Sequence, residues 1–244
     1  MRIALISDIH GNALALEAVL EDAEARGADR IVCLGDVATL GPEPLRVLHM
    51  LEELGCPCIQ GNHDAFLLDR SLLASYTRAP IVVEAIDWCM AQLGPRERRF
   101  LESFVDGLSL ALPGGRSLEL FHGSPGSHTQ DLLATTPAEE LDAHLEGTHG
   151  DVLAGGHTHI QMLRQHRGRL LVNPGSVGAP FREHVAGSAP TILPHAEYAI
   201  VVAEDAGVEV QLRRVELCRN DLHGAIASWR GPNLLRSDLL RQYS

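Results

Sequence analysis

Short apolar runs that stop at polar clusters alternate with amphipathic stretches along the first part of the chain. The runs Arg2–Ile6, Ile31–Leu34 and Cys58–Gln60 have the pattern of buried parallel strands. Asn12 is a good N-cap for a helix after the first run, and Leu45–Leu54 has the apolar spacing of a second helix. This order predicts βαβαβ units, and therefore a parallel sheet covered by helices.

The rest of the chain divides into a helical segment, a strand-rich segment and a tail. Residues 65–107 have a mostly helical pattern between strands, so we expect a covering or lid element. Residues 219–244 predict a short polar tail that is partly helical. Because no repeat or linker interrupts the chain, we expect one domain over residues 1–244, built from stacked sheets and outer helices. The remaining strands are expected at Leu108–Leu112, Ser117–Phe121, Val152–Ala154, Ile160–Gln165, Leu170–Val172, Tyr198–Ala203 and Val208–Arg214.

Composition restricts the class of partner. The 244 residues include 20 Lys+Arg and 32 Asp+Glu, which give a formal net charge of −12. Such acidity argues against stable binding to a nucleic-acid backbone and against attraction to an anionic membrane surface. Hydrophobic residues make up 45% of the chain, which is enough for a sizeable core. The unusual feature is 13 histidines in a chain with only 4% aromatic residues.

The sequence also predicts a cytoplasmic protein. The apolar run near Met1 ends at Asp8 and is far shorter than the core of a signal peptide, and no window approaches the ~18 apolar residues of a membrane span. The five cysteines have unrelated spacings, and Cys56-Pro57-Cys58 lacks the spacing of zinc or redox pairs. We therefore expect reduced, mostly buried thiols.

Residue types that commonly bind metals follow the ends of the predicted strands. Each piece alone is a weak signal, but all of them consist of Asp, Asn or His, often beside a glycine that lets the backbone turn sharply. Sites in parallel sheets lie in the loops after the strand ends, so these side chains are expected to converge. The pieces are Asp8-Ile9-His10, Gly35-Asp36, Gly61-Asn62-His63-Asp64, His122-Gly123 and Gly156-His157-Thr158-His159.

This set of ligands favours a site for two divalent metal ions. Carboxylate and neutral imidazole suit Mn, Fe, Zn or Ni, and thiolates are missing from every piece. A carboxylate can bridge two cations, and two metals ~3.5–4 Å apart can clamp the attacking and leaving oxygens of a phosphoryl displacement. A hydroxide bound to such metals is available near neutral pH, because the metals lower the pKa of their water.

With these motifs the sequence resembles the calcineurin-like metallophosphoesterases. Their pattern is Asp-x-His, Gly-Asp, Gly-Asn-His-Asp/Glu, His and Gly-His-x-His, and every piece occurs here in order between residue 3 and about residue 178. The resemblance implies an α/β fold of two stacked mixed β-sheets flanked by helices. It also implies a dinuclear centre in which a metal-bridging hydroxide attacks phosphorus.

The resemblance assigns a role to each matching position. Asp36 would bridge the two metals. His63 would contact the phosphate and protonate the leaving oxygen, and Asp64 would either orient His63 or cap the following helix. One metal would be held by Asp8, His10, Asp36 and His159, and the second by Asp36, Asn62, His122 and His157.

Two segments are similar to the small bacterial and archaeal branch of the family. They are Gly35–Pro42 and Asn173–Gly178, and the second is expected to be a structural turn more than a substrate contact. The Asp-Arg-Gly and Gly-Asn-His-Glu of the Ser/Thr protein phosphatases are missing, which argues against that activity. We expect Arg182 to form a surface salt bridge, and the histidines outside the motifs to be surface or helix residues.

These features predict hydrolysis of phosphate esters. The favoured activity is that of a phosphodiesterase acting on nucleotide-type or other small phosphodiesters. A phosphomonoesterase, a dinucleoside polyphosphate hydrolase and, less favoured, a non-catalytic metal-binding scaffold are the alternatives. Mn²⁺ is the expected ion, with Fe, Zn and Ni as alternatives. The sequence identifies no substrate-binding residue. Ile81–Leu93 is apolar enough to pack on the domain or on a second copy, so a homo-oligomer stays open.

Overall fold

The computed structural model describes residues 1–185 and 189–243, and its centre consists of two mixed β-sheets. The strands are β1 (Arg2–Ile6), β2 (Arg30–Cys33), β3 (Leu108–Leu112), β4 (Arg116–Leu120), β5 (Val152–Ala154), β6 (Met162–His166), β7 (Arg169–Asn173), β8 (His195–Glu204) and β9 (Gly207–Glu216). The first sheet has the order β2-β1-β8-β9, and the second has the order β3-β4-β5-β7-β6. The α/β sandwich expected from the sequence is confirmed.

Helices cover the outer faces of the sheets. They are α1 (Ala13–Ala25), α2 (Pro44–Leu54), α3 (Asn62–Leu68), α4 (Leu73–Tyr76), α5 (Pro80–Gln92), α6 (Pro95–Glu102), α7 (Ala138–His144), α8 (Arg219–Ser228) and α9 (Asn233–Gln242). The helix α1 begins as predicted, since the Asn12 side chain accepts a hydrogen bond from Ala15 N at 3.1 Å. The short helix α7 was not predicted.

The continuous apolar run of β1 reflects burial on both faces of the strand. Ile3 and Leu5 point into the core between the two sheets, where they join Leu118 and Leu120 of the second sheet. The alternate residues of β1 belong to the core beneath α1 and α2. β1 and β2 pair in parallel, so their carboxyl ends reach the same edge. Two loops that carry candidate ligands therefore start side by side.

The predicted strand Cys58–Gln60 is wrong as a full strand. This segment makes two isolated bridges, one between Cys58 and Cys33 and one between Ile59 and Val105. Pro57 lacks an N–H donor just before the segment, and helix α3 starts soon after it, so no longer ladder can form. The segment still delivers the Gly61 loop to the same edge as the first two strands.

The segment after residue 218 is helical in part, as predicted, but it is not polar on all sides. The two C-terminal helices bury an apolar face that contains Leu222, Ile226, Leu235 and Leu239. The ring of Trp229 packs edge-on against Trp88 of α5 at a centroid distance of 5.2 Å. The polar residues that dominate the composition of this segment lie on the outer face, which hid the apolar stripe in the sequence.

Residues 65–107 are mainly helical, as predicted, and their role as a lid stays a prediction. Ala85, Ile86 and Cys89 of α5 are buried against other parts of the same chain, so this apolar stretch packs on its own domain. Among the described residues, no helix is long and apolar enough to cross a membrane. The five cysteines are free thiols, and three of them are buried.

Candidate metal centre

The structure gathers the predicted ligands from both sheets into two adjacent clusters. Asp8 and His10 follow β1, Asp36 follows β2 and Asn62 begins α3, whereas the other three histidines follow strands β4 and β5 of the second sheet. Within each cluster the potential ligand atoms lie within 4.8 Å of one another. The clusters are Asp8, His10 and His159, and Asp36, His122 and His157.

The first cluster has the geometry expected of a cation site. His10 Nε2 and His159 Nε2 lie 3.0 Å apart, and Asp8 Oδ1 lies 3.3 Å from His159 Nε2. Asp8 Oδ1 is fully buried and has no hydrogen-bond partner among the described residues. A buried carboxylate oxygen without a donor is costly, and a divalent cation would satisfy it. The donor set therefore fits a metal.

The second cluster is arranged around His122. Its Nε2 lies 3.1 Å from Asn62 Oδ1 and 3.5 Å from Asp36 Oδ2. The ring of His157 lies beside it, at a centroid distance of 5.4 Å. His157 Nε2 also lies 3.4 Å from a carboxylate oxygen of Asp131, a residue that the motifs did not include.

Backbone carbonyls fix the orientation of two candidate ligands. His122 Nδ1 donates to Leu34 O and His159 Nδ1 donates to Ala179 O, each at 2.7 Å. A carbonyl oxygen only accepts, so Nδ1 carries the proton in both rings and the neutral ring presents a lone pair at Nε2. This outer hydrogen bond is the usual arrangement for a metal-bound histidine.

The ligand loops store backbone strain. Among the described residues, seven non-glycine residues have positive φ, and five of these are candidate ligands with φ between 48° and 68°. The left-handed region is unfavourable for residues with a Cβ, and such strain concentrates at functional sites. The five are Asp8, His10, Asp36, His157 and His159.

Close packing of glycines lets these loops meet. A Cβ on Gly61 would lie 2.0 Å from Asp36 Oδ1, and one on Gly156 would lie 2.6 Å from Asp8 Oδ2. Both distances are far below contact distance. Glycine at these two positions therefore follows from the close approach of backbone to carboxylate.

Burial and mutual repulsion set the charge of the cluster. Burial and neighbouring imidazoles lower the pKa of His10 to about 3, and burial and His122 lower that of His157 to about 4. Although burial disfavours a charged ring, the carboxylates of Asp36 and Asp8 raise the pKa of His122 to about 10. The buried carboxylates of Asp8 and Asp36 thus favour a protonated His122. The rings of His10 and His157 are neutral, which is the form of histidine that binds metals.

Thr39, and not Asp64, is the partner of His63. Thr39 Oγ1 lies 2.8 Å from His63 Nδ1, and both side chains are buried. The Asp64 carboxylate instead accepts backbone N–H groups from Asp36, Val37 and Gly61 at 2.7 to 3.0 Å. Since its oxygens are engaged by these amides, the structure supports the capping role expected for Asp64, and its orienting role stays a prediction. Asp64 shapes the two loops around Asp36.

The turn Asn173–Gly178 supports the ligand loops. Asn173 Nδ2 donates to Gly156 O at 2.6 Å, and Ser176 Oγ donates to Asp8 O at 2.6 Å. The structural role expected for this turn is confirmed. Arg182 pairs with the adjacent exposed Glu183, which confirms the predicted surface salt bridge.

Two aromatic side chains beside the candidate metal centre were not predicted from the sequence motifs. The ring of Tyr76 lies 6.4 Å from both His63 and His157, and the ring of Phe181 stacks on His159 at 4.1 Å. Tyr76 falls in the helical segment and Phe181 follows the Asn173 turn, where no sequence pattern marks a site.

Six of the eight histidines outside the motifs lie beside carboxylates. His166 Nε2, for example, lies 2.7 Å from Asp142 Oδ1. These histidines thus lie next to part of the acidic side chains that give the protein its negative charge. The six pairs are His49–Glu97, His128–Asp106, His144–Glu140, His166–Asp142, His184–Asp131 and His195–Glu197.

Known proteins share this sequence and architecture. Residues 1–192 match the model of the calcineurin-like phosphoesterase superfamily domain. An uncharacterized protein of Methanocaldococcus jannaschii is 31% identical over 73% of this chain and 76% of its own. The phosphodiesterase YfcE of Escherichia coli is 30% identical over 74% of this chain and 81% of its own.

Solved structures extend the likeness over nearly the whole chain. A metallophosphoesterase from Sphaerobacter thermophilus has a TM-score of 0.74 and 28% identity, with 98% of each chain covered. A hypothetical protein from Pyrococcus horikoshii has a TM-score of 0.80 and 20% identity, with 98% of this chain and 97% of its own covered. At this identity the likeness establishes only a shared fold. The chain belongs to the calcineurin-like phosphoesterase superfamily and is a metal-dependent phosphoester hydrolase.

Proposed function

We propose that the protein is a dinuclear phosphodiesterase acting on nucleotide-type or other small phosphodiesters. The observation that carries the proposal is the pair of adjacent ligand clusters, since His10 and His159 of one and Asp36 and His157 of the other line the same cavity as His63. The relative named phosphodiesterase YfcE supports hydrolysis of diesters.

Seven side chains would hold the two ions. Asp8, His10, Asp36 and His159 form one ligand set, and Asp36, Asn62, His122 and His157 form the other. When bound, two divalent cations supply Lewis acidity at the phosphoryl oxygens and a nucleophile at neutral pH. Mn²⁺ is the first ion to test, followed by Fe, Zn and Ni, because Asp, Asn and His accommodate all of them.

His63 is the proposed general acid. Its ring lines the cavity, and its Nδ1 faces Thr39, which leaves Nε2 to donate a proton to the leaving oxygen. The backbone N–H of His63 donates to Asp36 Oδ1 at 2.8 Å, so the position of this residue is tied to the carboxylate shared by both ligand sets. Removal of a general acid typically costs ~10²–10⁴-fold in rate.

A dinucleoside polyphosphate hydrolase is the second candidate. The symmetrical bis(5′-nucleosyl)-tetraphosphatase of Hamiltonella defensa is 28% identical over 58% of this chain and 62% of its own. A phosphomonoesterase and a metal-binding scaffold stay as further alternatives. Diadenosine tetraphosphate therefore belongs in the substrate panel.

Metal content and paired substrates test the proposal. We expect about two bound ions per chain by elemental analysis, and faster turnover of bis-p-nitrophenyl phosphate than of p-nitrophenyl phosphate. His63→Ala should lower the rate at least ~10²-fold with metal content unchanged. His223→Ala, on an exposed face of α8, is the matched control. One ion per chain, or undiminished activity of His63→Ala, would overturn the mechanism.

A further inference from the structure

A single cavity of about 680 Å³ connects the candidate metal centre with the C-terminal helices. His63 and His157 line one end, and Leu239 and Tyr243 line the other. Its volume lies in the range of about 300–1,000 Å³ typical of small-molecule sites. A substrate whose phosphorus lies at the metal ligands therefore has room for a long arm that points towards α8 and α9.

The walls of the distant part of this cavity are mostly aliphatic. They come from α5, from the segment before β8 and from both C-terminal helices, so distant parts of the chain contribute the same chemistry. We name this part the apolar chamber. Its walls include Ile81, Val82, Ile192, Ile226, Leu235 and Leu239.

The apolar chamber offers no cation to a second phosphate. Among the described residues that line the cavity there is no arginine, and the chain contains no lysine. The charged side chain that lines the chamber is Asp238, whose carboxylate already contacts Arg241 and accepts a hydrogen bond from Gln242 Nε2 at 2.7 Å. A buried phosphate without a cation is strongly disfavoured, so a polyphosphate arm does not suit this space.

Three polar side chains of the lining are already used within the chain. Gln242 Oε1 accepts a hydrogen bond from Ile192 N at 2.5 Å, and Thr77 Oγ1 accepts one from Ala79 N at 3.1 Å. Asn12 donates to Gly178 O at 3.1 Å. Recognition of a nucleobase or sugar needs convergent polar groups that are available to the ligand, and these three side chains are engaged within the chain.

We infer that the substrate is a phosphodiester with one uncharged apolar arm, alkyl or aryl, that lies in the apolar chamber. This inference rests on the proposed function, because the phosphorus must lie at the metal ligands for the arm to reach the chamber. It selects the apolar members among the small phosphodiesters and disfavours nucleotide arms.

Binding of non-hydrolysable phosphonates measures the preference directly. Calorimetry on the purified protein compares octylphosphonate, ethylphosphonate and adenosine 5′-methylenephosphonate, all in monomeric solution. Burial of each methylene contributes about 0.8 kcal/mol, or about fourfold in affinity. After the cost of ordering the chain, we expect octylphosphonate to bind at least about 30-fold more tightly than ethylphosphonate, with a negative heat-capacity change.

Two neighbouring valines provide a matched pair of variants. Val82 and Val83 are both half-buried on α5, but only Val82 is among the described residues that line the cavity. Val82→Gln should reduce the preference for octylphosphonate at least about threefold, whereas Val83→Gln should leave it unchanged. Equal effects of the two substitutions would overturn the assignment of the chamber.

Hydrolysis of octyl p-nitrophenyl phosphate separates the two proposals. If the diester is cleaved but octylphosphonate and ethylphosphonate bind equally, the chamber inference fails and the proposed function stands. If octylphosphonate binds preferentially but no diester is cleaved, the chamber's preference for an apolar arm is retained, and the proposed function fails together with the assignment of a phosphodiester substrate. Tighter binding of the adenosine phosphonate than of octylphosphonate would overturn the chamber inference in favour of a nucleotide arm.

Discussion

The hydroxyl of Thr39 lies 2.8 Å from Nδ1 of His63 and is fully buried. It also lies 3.4 Å from Nδ1 of His10. If His10 binds a cation through Nε2, its Nδ1 carries the proton, and Thr39 Oγ1 is its acceptor among the described residues. The Thr39 hydroxyl then donates to His63, which places the His63 proton at Nε2. Thr39 thus couples a metal ligand to the proposed general acid.

Replacing Thr39 tests this coupling. Thr39→Val keeps the shape but removes the hydroxyl, so we expect kcat to fall about 10–100-fold, the usual cost of losing such a supporting hydrogen bond. Metal content and Tm should stay close to those of the unchanged protein, and Thr39→Ser should restore most of kcat. The coupling is contradicted if Thr39→Ser is as slow as Thr39→Val.

Gly61 is expected to be essential for metal binding. A Cβ there would lie 2.0 Å from Asp36 Oδ1 and 2.5 Å from Asp36 N, so Gly61→Ala must displace the carboxylate proposed to be shared by both ions. We expect at least one ion per chain to be lost in elemental analysis. Gly126→Ala is the control, because nothing lies within 4 Å of a Cβ at that position. Full metal content in Gly61→Ala would show that the loop yields without cost.

Much of the fold could be predicted from hydrophobic periodicity. β1 has an apolar run that is buried on both faces, β2 is buried at Val32 and Cys33, and α1 begins at a residue with clear capping chemistry. The strand predicted at Cys58–Gln60 was wrong because a short apolar run does not reveal whether a neighbouring strand can pair with it. The packing of the C-terminal helices could not be predicted, because exposed polar residues interrupt their apolar stripe in the sequence. Their partner in the fold, α5, also lies far away in sequence.

The candidate ligands could be predicted because metal binding restricts side-chain chemistry at strand ends. Thr39 and Tyr76 could not, since threonine and tyrosine are common in many environments and only the fold brings them to His63. The role of Asp64 stayed open in the sequence for a related reason. Its position in sequence fits both an orienting and a capping role, and only the three backbone amides around its carboxylate decide between them.

Removal of metal should lower the stability of the folded protein. The buried carboxylates of Asp8 and Asp36 lose their compensating charge when a chelator strips the site, so we expect a lower Tm after EDTA and dialysis. Ligand present at ~100 times its Kd contributes about 2.7 kcal/mol. Asp36→Asn should abolish most of the rise in Tm on adding Mn²⁺, whereas Asp205→Asn, on the exposed β8–β9 turn, should retain it. An equal rise in both variants would contradict the assignment of Asp36.

Asp22 should contribute stability that depends on pH. Its carboxylate accepts hydrogen bonds from Arg26 at 2.9 Å and from the buried Tyr198 hydroxyl at 2.5 Å. Although partial burial opposes it, these donors lower the pKa of Asp22 below its ordinary value. The stabilisation is therefore present above the unfolded pKa of about 3.9 and is lost as pH falls through the lower folded pKa. We expect Asp22→Asn to lose about 1.5–3 kcal/mol in urea unfolding at pH 7 and progressively less below pH ~4. A loss that is the same at pH ~3 and pH 7 would show that packing, and not charge, accounts for the contribution of Asp22.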